Sequence, residues 1–106
     1  MIEALYDRER YCVTVTGHAG TAEPGKDLVC AAASILVLTL AADVNSARES
    51  MRRESVIRLA EGDAEIRCVP RREMGSVVSL MLESVCSGFA VLARKYPESV
   101  NYKVVA

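Results

Sequence analysis

The sequence has no tryptophan, one phenylalanine, one histidine, three prolines and six glycines in 106 residues. Few prolines and glycines, with 51% hydrophobic residues, exclude a collagen-like, low-complexity or disordered chain. A net charge of -1 excludes a global field that attracts nucleic acid or an anionic membrane. We therefore expect one domain spanning 1–106, with no direct nucleic-acid partner and no membrane partner.

The chain also lacks the motifs of several common cofactor and metal sites. Its four cysteines contain no C-x-x-C pair, which excludes a recognisable zinc ribbon or thioredoxin motif, and no Walker, G-x-G-x-x-G or EF-hand loop occurs. We expect no metal and no cofactor. The first residues carry neither the basic segment nor the apolar run of a signal peptide, so we expect a cytoplasmic protein with reduced thiols.

Hydrophobic patterning predicts an α/β (α+β) fold, a compact sandwich of order β-β-α-β-β-α-β with a mainly antiparallel sheet and two helices. The predicted strands cover 2–6, 11–16, 55–60, 64–69 and 100–105. The second helix is predicted over 76–96, with an apolar stripe formed by Val77, Val78, Met81, Val85, Phe89 and Leu92.

Residues 28–42 are the longest apolar run and predict the central core helix. At about 22 Å this run is too short to cross a bilayer core of about 30 Å. It is apolar around nearly its whole circumference, and so small a chain cannot easily cover every face of it. We therefore expect a homodimer that buries the remaining apolar surface.

His18 and Cys30 form the constellation that could perform chemistry. His18 is the only histidine and follows Gly17 at the end of a strand, where its imidazole is the one side chain suited to proton transfer near neutrality. With Asp27 as N-cap, Cys30 is the third residue of the core helix, where the helix dipole favours a thiolate. This pair would be an activated nucleophile with its base.

Structural interpretations of the same residues stay open. His18 can be a turn histidine bonded to its own loop, and Cys30 can be a buried core thiol. Asp27 can be only an N-cap, and the Ser34 hydroxyl can return to the helix backbone instead of facing a site. The basic clusters Arg48, Arg52, Arg53 and Arg71, Arg72 alternate with glutamates, have no aromatic platform and are interpreted as solvated faces.

The segment T-G-H-A-G at 16–20, followed by G-K-D-L-V-C-A-A-A-S at 25–34, resembles the signature of the bacterial ribosomal-processing cysteine protease family, Prp. The resemblance implies a cytoplasmic homodimeric endopeptidase that removes the N-terminal extension of a large-subunit ribosomal protein. Cys30 would be the nucleophile and His18 the base, supported by Gly17, Asp27 and Ser34. The residues of the substrate loop would be Ala19, Gly20, Thr21, Ala22, Glu23, Pro24, Gly25 and Lys26.

Two other functional classes compete with the protease. A non-catalytic, ribosome-associated dimeric scaffold would make His18 and Cys30 incidental. A thiol redox sensor of the two-cysteine type would need a resolving partner, and no cysteine lies near Cys30 in the sequence. Selective alkylation of Cys30 near neutral pH distinguishes a catalytic thiol from an inert one.

Overall fold

A computed structural model describes residues 1–20 and 28–105 of the chain. The described elements follow the predicted order, with two short 3-10 turns at Arg48–Ser50 and Arg72–Met74 as additions. They are β1 (Ile2–Asp7), β2 (Cys12–Thr16), α1 (Leu28–Ser46), β3 (Val56–Ala60), β4 (Asp63–Arg67), α2 (Gly75–Lys95) and β5 (Val100–Val105).

The five strands form one mixed sheet in the order β3-β4-β2-β1-β5. Three neighbouring pairs are antiparallel, and β1 pairs with β5 in parallel, so the predicted mainly antiparallel α+β architecture is confirmed. Alternation along β2 determines which face is covered, because Val13 and Val15 are buried while Thr16 faces solvent. Both hydrophobic strand residues contribute to the core beneath the helices.

The helices bury narrower stripes than the sequence predicts. In α1 the buried residues are Val29, Ala33, Leu40 and Val44, whereas Ile35 is 59% exposed. In α2 the buried stripe is Val78, Leu82, Cys86 and Phe89. The prediction that Val77 belongs to this stripe was wrong, since Val77 is 56% exposed. The other predicted stripe residues are confirmed, because Val78 and Phe89 are buried and Met81, Val85 and Leu92 pack partly buried against the core.

The first helix is also longer than its apolar run, with 19 residues instead of fifteen. By length and composition alone, Leu28–Ser46 and Arg72–Lys95 both reach what a bilayer span requires. The argument that the first helix is too short to span a membrane was therefore wrong. In the described structure the two helices pack on each other, and Gly88 lies against the Leu36 side chain. Core helices of globular domains satisfy the same length criterion.

Three segments converge at one edge of this core. The end of β2, the first turns of α1 and the β3–β4 turn line one cavity. Antiparallel pairing of β2 with β4 brings the turn there, because Thr16 lies opposite Asp63. The backbone N–H of Gly17 donates to the carbonyl oxygen of Gly62 at 2.9 Å, which extends this pairing one residue beyond the strand.

Candidate active site

The cavity at this edge has a volume of about 350 Å³. The residues that carry polar or reactive groups into its wall come from all three segments, and are Gly17, His18, Cys30, Ser34, Glu61, Gly62 and Asp63. Its remaining wall is aliphatic and includes Leu38 of α1 and Leu59 of β3. A small cavity with an apolar wall and a few converging polar groups is the usual form of a ligand or substrate site.

Cys30 is the third residue of α1 and is partly buried at the cavity. The backbone N–H of Ala19 donates a hydrogen bond to its Sγ at 3.3 Å. Ala19 is itself buried, so this donor is fixed beside the sulfur rather than shared with bulk water. The strand end that carries His18 is thereby connected to the thiol. A donor in this position complements negative charge on sulfur.

His18 is exposed and lines the same cavity as Cys30. Its backbone is positioned by Gly17, which has a φ of +90°, a conformation that residues with a Cβ rarely adopt. A Cβ on Gly17 would also overlap the carbonyl oxygen of Met1, the residue before β1. Both the φ of Gly17 and its close approach to Met1 therefore require the absence of a side chain.

Gly62 is a site residue that sequence reasoning did not identify. Its φ is +69°, and an ideal Cβ there would lie 2.8 Å from Nε2 of His18 and 3.2 Å from Cε1. The imidazole therefore rests directly against the backbone of the β3–β4 turn. The E-G-D sequence at 61–63 signalled only a hairpin turn. Nothing in that pattern indicates which side chain from another strand lies against the glycine.

The structure thus brings together four of the predicted site residues, His18, Cys30, Gly17 and Ser34, around one cavity. Their catalytic and supporting roles stay predictions. Of the predicted substrate loop, Ala19 is buried and Gly20 is exposed. The N-cap prediction for Asp27 and the loop residues Thr21, Ala22, Glu23, Pro24, Gly25 and Lys26 lie outside the described residues.

The remaining cysteines occupy different surroundings. Burial raises the pKa of the thiols of Cys12 and Cys68 above the ordinary value, and it raises the pKa of Cys86 to about 11. A raised pKa keeps a thiol protonated and unreactive at neutral pH. Within 1–20 and 28–105, no three His, Cys, Asp or Glu side chains are grouped so that they could hold a metal ion.

Comparison with known proteins identifies the family. A family model described as cysteine protease Prp matches residues 1–101. The chain belongs to the cysteine protease Prp family. This confirms the family resemblance and the enzyme class, a cysteine protease, expected from the two motifs at 16–20 and 25–34. No curated protein sequence matches the chain.

Solved structures support the same fold. The essential ribosomal processing protease Prp from S. aureus, crystallised with a covalently linked product peptide, has a TM-score of 0.76 and 22% identity. That alignment covers 99% of this chain and 100% of that one. SMU.848 from Streptococcus mutans has a TM-score of 0.69 and 30% identity, over 99% and 94% of the two chains. A further S. aureus Prp structure contains a substrate peptide, with a TM-score of 0.66 and 20% identity over 98% and 97%.

Proposed function

We propose that this Prp-family protease is an endopeptidase that uses Cys30 as nucleophile and His18 as general base. The observation that carries the proposal is the shared cavity: a sulfur that accepts a hydrogen bond from Ala19 and the chain's only imidazole line one small pocket. In the described residues the other three thiols have raised pKa values. Cys30 is the cysteine that lines the cavity with His18.

The reaction follows the general course of thiol proteases. His18 accepts the thiol proton, and Sγ attacks the carbonyl carbon of the scissile peptide bond. The imidazolium then gives its proton to the leaving amine as the C–N bond breaks, which leaves a thioester on Cys30. Water, deprotonated by the same imidazole, hydrolyses that thioester and regenerates the thiol. Each of these proton transfers requires that the imidazole stays within hydrogen-bonding reach of the reacting atoms.

The proposed substrate is the N-terminal extension of a large-subunit ribosomal protein. It rests on family membership and on the S. aureus relatives, one of which is described as a ribosomal processing protease with a substrate peptide. Such a substrate implies that the protein acts in the cytoplasm, and we propose that location. The aliphatic part of the cavity wall, including Leu38 and Leu59, would accept apolar side chains of the extension.

We also propose a homodimer. The residues that favour it are large, apolar and exposed on α1, notably Leu28 and Ile35. Contiguous exposed apolar surface of this kind commonly marks association surfaces. We expect light scattering at micromolar concentration to give the mass of two chains, and Ile35→Glu to shift the protein toward a monomer. A wild-type monomer would refute the dimer.

Cleavage of an extended ribosomal protein, followed by mass spectrometry of the products, tests the proposed activity. Cys30→Ala should abolish cleavage and keep the fold, because α1 accommodates alanine near its start. Cys12→Ala is the matched control, since Cys12 is partly buried like Cys30 but lies outside the cavity. Cleavage by Cys30→Ala would refute Cys30 as the nucleophile. A wild type that cleaves nothing would favour the alternative, a non-catalytic ribosome-associated dimeric scaffold in which His18 and Cys30 are incidental.

A further inference from the structure

The fold assembles an arginine-lined cleft at the opposite end of the β3–β4 hairpin from the cavity. Open space of about 800 Å³ is lined there by the β1–β2 turn, the segment before β3 and the segment between β4 and α2. Six of the ten arginines in the chain line it, against two glutamates, Glu9 and Glu54. The arginines are Arg10, Arg52, Arg53, Arg67, Arg71 and Arg72.

The backbone holds these segments together. Met51 and Pro70 form an isolated antiparallel bridge, and flanking hydrogen bonds run from Arg52 N–H to the Val69 oxygen at 2.7 Å and from Arg71 N–H to the Ser50 oxygen at 2.9 Å. Two adjacent segments therefore carry the arginine pairs at 52–53 and 71–72, which are nineteen positions apart in sequence. The cleft is thus a product of the fold.

Within residues 1–20 and 28–105, four of the six cleft arginines form no ion pair with a carboxylate, namely Arg52, Arg53, Arg71 and Arg72. Arg71 donates through Nε to the Glu49 carbonyl oxygen at 2.9 Å, which orients its outer nitrogens without neutralising their charge. Arg10 and Arg67 approach carboxylates only at 3.9 and 4.0 Å. Like charges placed side by side destabilise a fold unless an anion offsets their repulsion. The cleft therefore has a local excess of positive charge although the net charge of the chain is -1, and an anionic ligand would offset this repulsion.

We propose that the cleft binds single-stranded RNA through its phosphates. Planar guanidiniums match phosphate oxygens in paired hydrogen bonds. Tyr11 also lines the cleft, partly buried against the core and with its hydroxyl against Gly75. An aromatic residue thus borders the basic groove, as in single-strand binding sites. The aromatic residue and the number of arginines favour RNA over an acidic peptide. The choice of RNA over DNA rests on the proposed function, since a ribosomal substrate is encountered beside RNA.

Binding is measured by fluorescence anisotropy with a labelled twelve-nucleotide oligouridine at several salt concentrations. Neutralising about four phosphates predicts a plot of log K against log salt with a slope of about -3. Arg52→Gln with Arg71→Gln should reduce the magnitude of this slope by about 1.4 and weaken binding at 50 mM salt by more than tenfold. Arg48→Gln with Arg94→Gln removes the same charge from exposed arginines outside the cleft and should leave the slope nearly unchanged.

The outcomes separate this proposal from the proteolytic one. The proposal is overturned if oligouridine does not bind at 50 mM salt, if both double variants weaken binding equally, or if a polyglutamate peptide binds as tightly as oligouridine. Both double variants should cleave a short peptide substrate like the wild type, because none of the four arginines lines the catalytic cavity. Cys30→Ala should lose peptide cleavage but bind oligouridine like the wild type, so each of the two proposals can fail without the other.

Discussion

Gly62→Ala tests whether the β3–β4 turn positions the imidazole of His18, the proposed general base. The new Cβ would lie 2.8 Å from Nε2 of His18, whereas ordinary van der Waals contact begins at 3.4 Å and extends to 4 Å. The imidazole must therefore move by roughly 1 Å, and His18 is exposed, so it can move. A misplacement of about 1 Å can lower the rate by up to 10²-fold. We expect kcat for peptide cleavage to fall by about 10- to 100-fold, with KM nearly unchanged.

The same substitution has a separate cost in stability, because Gly62 has a φ of +69°. Gly20 calibrates this cost, since its φ is +77° and an ideal Cβ there would meet nothing within 4 Å. Each alanine should cost about 1–2 kcal/mol of unfolding free energy. Gly20 lies in the predicted substrate loop, so its variant is compared in stability only. Similar losses of stability would show that moving the imidazole, not unfolding, explains the lost activity of Gly62→Ala.

Two further measurements isolate the effect on His18. It is the only histidine, so its ring protons are recognisable in an NMR spectrum without assignment of other imidazoles. The wild type should show a nuclear Overhauser effect between the Gly62 Hα protons and Hε1 of that ring. In a His18→Ala background, Gly62→Ala should lower residual cleavage no further, because its effect acts through the imidazole. The reasoning is refuted if Gly62→Ala keeps wild-type kcat, or if the wild type shows no such Overhauser effect, because the ring then lies away from Gly62.

Three more predictions concern the thiols and the helix packing. Iodoacetamide at neutral pH should alkylate Cys30 far faster than Cys86, whose pKa burial raises to about 11; equal rates in peptide mass mapping would contradict this. Burial of Cys86 favours the protonated thiol, so its contribution to the free energy of unfolding is fully present below about pH 9, the pKa of the unfolded thiol. This contribution is lost as the pH rises toward 11, because the unfolded thiol ionises first. The loss approaches about 2–3 kcal/mol in urea unfolding, and Cys86→Ala should lessen it. Gly88→Ala should lower the free energy of unfolding by about 1–3 kcal/mol, because its Cβ would lie 2.5 Å from Leu36 Cδ2. In thermal unfolding, the double variant with Leu36→Ala should lose less stability than the sum of the two single variants, because the smaller side chain removes the clash.

The order of elements could be predicted because each depends on local patterning. Alternation in β2 and β4 and the position of Pro97 after α2 are properties of short windows. The packed face of α2 was predicted except at its edge. Val78 and Phe89 are buried as expected, whereas Val77 is exposed. Val77 and Val78 are equally apolar, so only tertiary contact with the sheet and α1 determines which of the two is buried.

The candidate site shows the same difference between what local patterns predict and what tertiary contacts determine. His18 and Cys30 could be predicted because each stands at the end of an element, twelve residues apart. The contribution of Gly62 could not, because it requires the register in which β2 pairs with β4. The arginine cleft depends on the bridge between Met51 and Pro70, which joins segments outside the regular strands. The arginines of the basic clusters are exposed, and only the fold gathers Arg52, Arg53, Arg71 and Arg72 around one cleft.

The β3–β4 hairpin separates the two proposed sites, so we predict that they act independently. Each strand has five residues, so the cavity at Gly62 and the cleft at Val56 and Arg67 lie about 15 Å apart. RNA in the cleft is too distant to contact the reacting atoms, so it can raise the local concentration of a substrate but cannot assist bond cleavage. Arg52→Gln with Arg71→Gln should raise KM for a ribosomal protein presented with RNA and leave kcat unchanged. Gly62→Ala should lower kcat and leave the RNA affinity at its wild-type value. A fall in RNA affinity in Gly62→Ala, or a fall in kcat for the short peptide in the arginine variant, would show that the hairpin couples the two ends.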